Sequence, residues 1–209
     1  MAIFITGGAR SGKSGFAEAY AMNLAKRGIY VATSQIWDDE MKERTDHHRV
    51  SRERSGFAWQ TIEEPYDVAE LLVKLEAAAV VVGEGRDHDH DHRRPAVIID
   101  CLTLWLTNQM LRLGEFDAND GESYRYDSGA LSAEVNRLID AVTTYTGPLL
   151  LVTNEVGSGI VPAYPLGRRF RDEAGRMNRK LAACCQQAFL VVAGIPLDLK
   201  AHAFQLEEE

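Results

Sequence analysis

The chain has 209 residues, 45% of them hydrophobic and 26% charged, with a net charge of -8, which suits a single domain, here 1–209, with a sizeable core. That acidic balance argues against a nucleic-acid partner, which leaves a basic footprint, and no segment approaches the roughly 18–20 apolar residues of a membrane span. The opening "MAIFITGG" carries no leader pattern, and Cys101, Cys184 and Cys185 form no CxxC pair, so a reducing cytoplasm is the expected location.

In chain order the pattern is strand, turn, helix, repeated. "AIFIT" is an apolar strand ending at Gly7, and "SGFAEAYAMNLAKRG" reads as a helix closed by Gly28. "IYVAT" is a second strand. "DDEMKERTDHHRVSRER" predicts a polar helix, acidic at its start and basic towards its end, as the helix dipole favours. "WQTIEEP" is a short strand stopped by Pro65, and "DVAELLVKLEAAA" a helix. Residues 83–95, "GEGRDHDHDHRRP", read as a flexible solvated insertion whose His88, His90 and His92 could hold a metal adventitiously. "AVIID" is a buried strand ending in Asp100, "LTLWLTNQMLRL" a helix, and 113–129 loop-like. "ALSAEVNRLIDAVTTY" is an amphipathic helix, "PLLLVTNE" a buried strand, and "RRFRDEAGRMNRKLAACCQQ" a long basic helix. "AFLVVAG" closes the series, with "IPLDLK" as an edge strand. Apolar strands without alternation, separated by helices, predict an α/β fold with a mainly parallel sheet covered on both faces.

"GGARSGKS" fits the phosphate loop G-x-x-x-x-G-K-[ST], with Gly7, Gly12, Lys13 and Ser14 at the fixed positions and Gly8, Ala9, Arg10 and Ser11 between them. The preceding strand and following helix supply the context that the motif needs. Its backbone N–H groups would approach phosphates, Lys13 would neutralise the β and γ oxygens, and Ser14 would offer its hydroxyl to Mg²⁺. Asp100 assists that metal or caps the next helix. Glu155 has the weaker claim of the two strand-end carboxylates. A regulatory GTPase would need N-K-x-D and D-x-x-G, and neither occurs in the chain. A small-molecule kinase or nucleotidyltransferase fits the size better than a nucleic-acid motor. A nucleotide-dependent regulatory ATPase is the contrasting class.

His47 and His48 stand in "RTDHHRVSR". An imidazole there either attacks an α-phosphate as a nucleophile or lies solvated on a polar helix. On a helix the two would point about 100° apart, so only one would face a nucleotide.

"GGARSGKS", "YVATSQIWDDEM", "HHRVSR", "VIIDCLTLWLTN", "VTNEVGSGIVP" and "RRFRDEAGRMNRKLA" occur in this order. Together they closely resemble the bifunctional adenosylcobinamide kinase/adenosylcobinamide-phosphate guanylyltransferase family of cobalamin biosynthesis. The resemblance implies a P-loop, RecA-like sheet and a homo-oligomer, with a trimer favoured. It implies phosphorylation of adenosylcobinamide by ATP or GTP, then GMP transfer from GTP to adenosylcobinamide-phosphate through a guanylyl-histidine. Matched residue by residue, it makes His48 the carrier and Lys13 catalytic. It implies nucleotide contacts for Gly7 to Ser14, for Thr33, Ser34 and Gln35, for Arg49, Val50, Ser51 and Arg52, and for Glu63 and Asp100. The metal would fall to Ser14 and Asp100. Extra residues between His48 and Glu63, and the Asp/His insertion, depart from the family pattern. The runner-up is a monofunctional P-loop kinase with a structural histidine pair.

Overall fold

The computed structural model describes residues 1–35, 50, 52–83, 94–116 and 124–204. The chain runs β1 (Ala2–Gly7), α1 (Lys13–Leu24), β2 (Arg27–Ala32), β3 (Ala58–Glu63), α2 (Val68–Gly83), β4 (Ala96–Asp100) and α3 (Leu102–Arg112). It continues with β5 (Gly114–Phe116), β6 (Tyr124–Tyr126), α4 (Ser128–Thr144), β7 (Leu149–Val152), α5 (Pro165–Cys184), β8 (Gln187–Val192) and β9 (Ile195–Asp198). Seven strands form one sheet in the order β3-β2-β4-β7-β1-β8-β9. All neighbours are parallel except β9, which pairs antiparallel with β8. This is the mainly parallel α/β sheet of a P-loop protein, with β7 inserted between the loop strand β1 and the carboxylate strand β4.

Each central strand is apolar on both sides because both sides are covered. Phe4, Val31, Val97, Ile99, Leu149 and Leu151 face a core shared with residues of α2, α3, α4 and α5. Ile3, Ile5, Tyr30, Ile98, Leu150 and Val152 face the opposite way, onto Ala17 and Ala21 of α1. Small side chains at those two helix positions let α1 lie close to the sheet, which holds the loop before it against the strand ends. Ile98 and Ile99 are fully buried, each contributing about 1.5–3 kcal/mol relative to exposure.

Several boundaries differ from the sequence expectation. Helix α1 ends at Leu24, with Ala25 as its extended C-cap, and Gly28 lies inside β2 rather than closing the helix. A Cβ on Gly28 would stand 2.2 Å from the Trp59 ring, so that glycine admits a cross-strand indole. Residues 113–129 are not simply loop. β5 and β6 pair antiparallel, and α4 already starts at Ser128 behind the Asp127 cap, whose carboxylate accepts from the N–H groups of Gly129 and Ala130. Tyr124 ties β6 to the end of α3 by donating to the Met110 and Leu111 carbonyls, a contact that no local pattern announces, and residues 117–123 lie outside the described residues. Helix α5 begins at Pro165, three residues before the predicted "RRF", because proline suits the first helical turn. The expected edge strand is present as β9. A two-residue turn joins it to β8 through Ala193 and Gly194, at φ 51° and 82°, as type I′ hairpins require.

Candidate active site

Among the described residues, Gly7, Thr33, Glu63 and Asp100 stand at or just past the C-terminal ends of β1, β2, β3 and β4, the edge where open α/β sheets bind ligands. The phosphate loop leaves β1 at Gly7. A Cβ there would lie 2.4 Å from the Val191 carbonyl oxygen and 2.6 Å from Ser11 Oγ, so the turn needs glycine. Gly12 takes φ 93°, the left-handed region that glycine enters without steric cost. The Gly194 N–H donates to the Ser11 carbonyl at 2.8 Å, so the β8–β9 turn braces the loop from outside. Lys13 is only 5% exposed, and its Nζ donates to the Gly8 carbonyl at 3.1 Å, curling the side chain back over the loop.

Register sets the next group. On β4, Ile98 faces α1, so Asp100, two residues on, projects from the same face. Tyr30 on β2 pairs with Ile98 and is therefore a diagonal neighbour of Asp100. Its hydroxyl donates to Asp100 Oδ2 at 2.8 Å. The Arg52 guanidinium lies 3.7 Å from the centre of the Tyr30 ring and 3.3 Å from Glu18 Oε1. Glu18 is one helical turn beyond Ser14, at the i,i+4 spacing that shares a helix face. Glu18, Arg52, Tyr30 and Asp100 thus form one polar cluster, with Ser14 one turn earlier on the same face of α1.

The electrostatics follow from burial. Desolvation raises the Glu18 carboxyl above the usual range, opposed by its hydrogen bond to Arg52. Burial, reinforced by the Asp100 charge, pushes the Tyr30 phenol well above its ordinary value, so it remains a donor. Burial also raises the Cys101 thiol, which argues against a nucleophilic role for it. Arg52 is 4% exposed and its Nε has no hydrogen-bond partner among the described residues.

The remaining strand ends are tied together beneath this cluster. Thr33 is fully buried, and its hydroxyl donates to the Cys101 carbonyl, so this side chain is engaged inside the protein. Asn108 of α3 donates to the Thr33 and Pro65 carbonyls. Gln35 Nε2 donates to the Tyr66 hydroxyl. Ser34 is half-buried beside it, and Glu63 stands exposed at the end of β3. After β7, Asn154 donates to Thr103 Oγ1 at 2.8 Å, and Asn178 of α5 donates to the Asn154 carbonyl. Glu155 spends Oε1 on the Gly157 and Ser158 N–H groups, which is a turn-forming role. On α5, Arg168 donates to the Pro162 carbonyl, Arg169 to the Tyr124 carbonyl, and Arg176 pairs with Glu173. Those three arginines hold their own surroundings. His47, His48, Arg49 and Ser51 lie outside the described residues, as do residues 84–93 with the Asp/His tract. Val50 is exposed.

A nucleotide loop and a strand-end carboxylate are common to many enzymes, so the comparison with known proteins decides among them. The family described as cobinamide kinase / cobinamide phosphate guanyltransferase matches residues 3–199. This chain belongs to that family. It is accordingly a transferase with a kinase and a guanylyltransferase activity. The bifunctional adenosylcobalamin biosynthesis protein CobU of Escherichia coli K12 is 39% identical over 200 residues, covering 96% of this chain and all of that one. CobP of Pseudomonas aeruginosa, of the same description, is 37% identical over 96% of this chain and 98% of that protein. Among solved structures, one ATPase domain superposes with a TM-score of 0.44 at 11% identity, over 90% of this chain and 68% of that one. No helix among the described residues is long and apolar enough to cross a membrane.

The sequence reading passed over Tyr30, Glu18, Thr103, Asn108 and Asn178. Each belongs to a strand or helix whose register is needed to see its partner. Tyr30, Thr103, Asn108 and Asn178 do fall inside the motif blocks "YVATSQIWDDEM", "VIIDCLTLWLTN" and "RRFRDEAGRMNRKLA", whereas Glu18 falls in none.

Gly7→Ala tests the loop geometry. The added methyl would meet a backbone carbonyl that belongs to β8, so overpacking should cost about 1–3 kcal/mol and the loop should open. Calorimetric titration should show GTP binding at least about tenfold weaker, a loss of ~1.4 kcal/mol. Wild-type affinity with an unchanged melting temperature would mean that the loop relaxes freely.

Proposed function

We propose that this enzyme phosphorylates adenosylcobinamide with ATP or GTP and then transfers GMP from GTP to adenosylcobinamide-phosphate, through a guanylyl group on His48. The products would be adenosylcobinamide-GDP and pyrophosphate. The observation that carries the reading is the polar cluster. The buried Arg52, from the "HHRVSR" motif, lies against Glu18 and Tyr30, beside the helix that begins at the phosphate loop. His48 precedes it by four positions in the sequence.

In the kinase step the aminopropanol hydroxyl of the corrinoid attacks the γ-phosphorus and loses its proton, and the nucleoside diphosphate leaves. Lys13 bears the charge of the transferring group, and the backbone N–H groups from Gly8 to Ser14 orient the phosphates. In the second step a neutral His48 nitrogen attacks the α-phosphorus and pyrophosphate departs. A corrinoid phosphate oxygen then attacks the same phosphorus, and the N–P bond breaks. Arg49 and Arg52 offset the developing charge. Thr33, Ser34, Gln35, Val50, Ser51 and Glu63 complete the nucleotide contacts in this reading, with Thr33 acting through its backbone.

Magnesium suits the donors. A hydroxyl at Ser14 and a carboxylate at Asp100 are hard oxygens, and Tyr30 engages only one Asp100 oxygen. No cluster of three His, Cys, Asp or Glu stands among the described residues, and Mg²⁺ characteristically takes one or two carboxylates plus substrate phosphates. When bound, it would neutralise phosphate charge. A homo-oligomer completes the proposal, supported by the exposed Val192, Ile195 and Leu197 of the β8–β9 hairpin.

The test is incubation with adenosylcobinamide, Mg²⁺ and GTP, followed by mass spectrometry. Adenosylcobinamide-phosphate should appear first and adenosylcobinamide-GDP after it. Arrest at the phosphate would leave a monofunctional kinase.

A further inference from the structure

We propose that Tyr30 is a positioning residue for the metal-assisting carboxylate. It would fix the rotation of Asp100, so that one oxygen is held by the protein and the other is presented to the divalent cation of the bound nucleotide. This inference rests on the phosphate-loop reading above and adds a residue to it.

The geometry is specific. Tyr30 is 6% exposed, with its ring in the core facing α1. The parallel register that pairs Tyr30 with Ile98 and Ala32 with Asp100 sets the ring diagonally beside the carboxylate. The hydroxyl donates to Oδ2 at 2.8 Å, the usual length of an O–H···O hydrogen bond. Among the described residues, Asp100 Oδ1 accepts no hydrogen bond. Arg52 stacks on the ring at 3.7 Å while paired to Glu18, which limits reorientation of the phenol. A carboxylate on a strand end has a broad, roughly two-fold terminal torsion, so without a second partner its metal-facing oxygen would not be fixed. Groups that orient a metal-binding side chain in this way alter metal affinity while leaving the ligand itself in place.

Packing alone would explain a buried tyrosine, so the experiment separates the two roles. Mn²⁺, standing in for Mg²⁺, is titrated into the protein–GTP complex and followed by electron paramagnetic resonance. Wild type, Tyr30→Phe, Asp100→Asn and the double variant are compared. GTP affinity is measured separately in EDTA. Phenylalanine keeps the ring and the Arg52 stacking, so folding should be retained. Tyr30→Phe is expected to weaken Mn²⁺ binding about tenfold, with GTP binding in EDTA within about twofold of wild type. In the Asp100→Asn background the same change should add less than about twofold, because it acts through the carboxylate.

Manganese binding unchanged in Tyr30→Phe, while Asp100→Asn weakens it, would overturn the role of Tyr30 and leave the metal reading standing. An equal factor in both backgrounds would reduce Tyr30 to packing and overturn it as well. Asp100→Asn without effect would remove the metal reading and this inference together.

Discussion

Lys13→Ala is expected to lower phosphoryl transfer to adenosylcobinamide by about a thousandfold, the upper range for removing one preorganised donor from a developing charge. The lysine is almost wholly buried and already directed over the loop by its bond to the Gly8 carbonyl, so little reorganisation precedes its use. The variant should still fold. It loses the hydrogen bond to the Gly8 carbonyl, worth about 1 kcal/mol, and the loop is braced independently by Gly194. Lys13→Met retains the stem, and should lose activity to the same extent while restoring packing. The measurement is single-turnover transfer of γ-labelled phosphate to the corrinoid, beside a melting curve. A rate within about tenfold of wild type would assign the charge stabilisation elsewhere.

The second large effect is a division of activities. Incubated with Mg²⁺ and α-labelled GTP without corrinoid, wild type should retain label that is acid-labile and alkali-stable, as a phosphoramidate is. His48→Ala should retain none and lose guanylyl transfer by at least about ten thousandfold, as removal of a covalent nucleophile does. Its kinase step should stay within a few-fold of wild type. His47→Ala should keep the label. Because the attacking imidazole must be neutral, labelling should decline below about pH 6.5. Label lost only in His47→Ala would move the carrier by one residue. A wild type that binds GTP and takes no label would exclude the covalent route.

These two outcomes depend on different parts of the chain. The role proposed for Lys13 rests on a loop fixed by glycine stereochemistry and a strand-helix junction, and so on local sequence. His48 is assigned through the family motif, and the nearest described anchor is Arg52, clamped between Glu18 and Tyr30. If Tyr30→Phe loosens the metal site as expected, the same ring would link the phosphate loop's cation to the segment bearing the nucleophile.

The phosphate loop, the alternation of apolar strands with helices, Asp100 as a strand-end carboxylate, and the family were all legible along the chain. These are local or ordered features: glycine spacing, hydrophobic periodicity, and motifs in series. It took the folded chain to show that β7 stands between β1 and β4, that Tyr30 meets Asp100 diagonally, and that Glu18 and Arg52 join them. Folding likewise assigns Gly28 to a strand facing Trp59, and pairs Gly114–Phe116 with Tyr124–Tyr126 beside the end of α3, where Tyr124 is held. The physical reason is shared. Strand order and register are set by which side chains pack across the sheet, between residues far apart in the chain. A period of two in one strand says which face a residue takes, and nothing about which neighbour waits there.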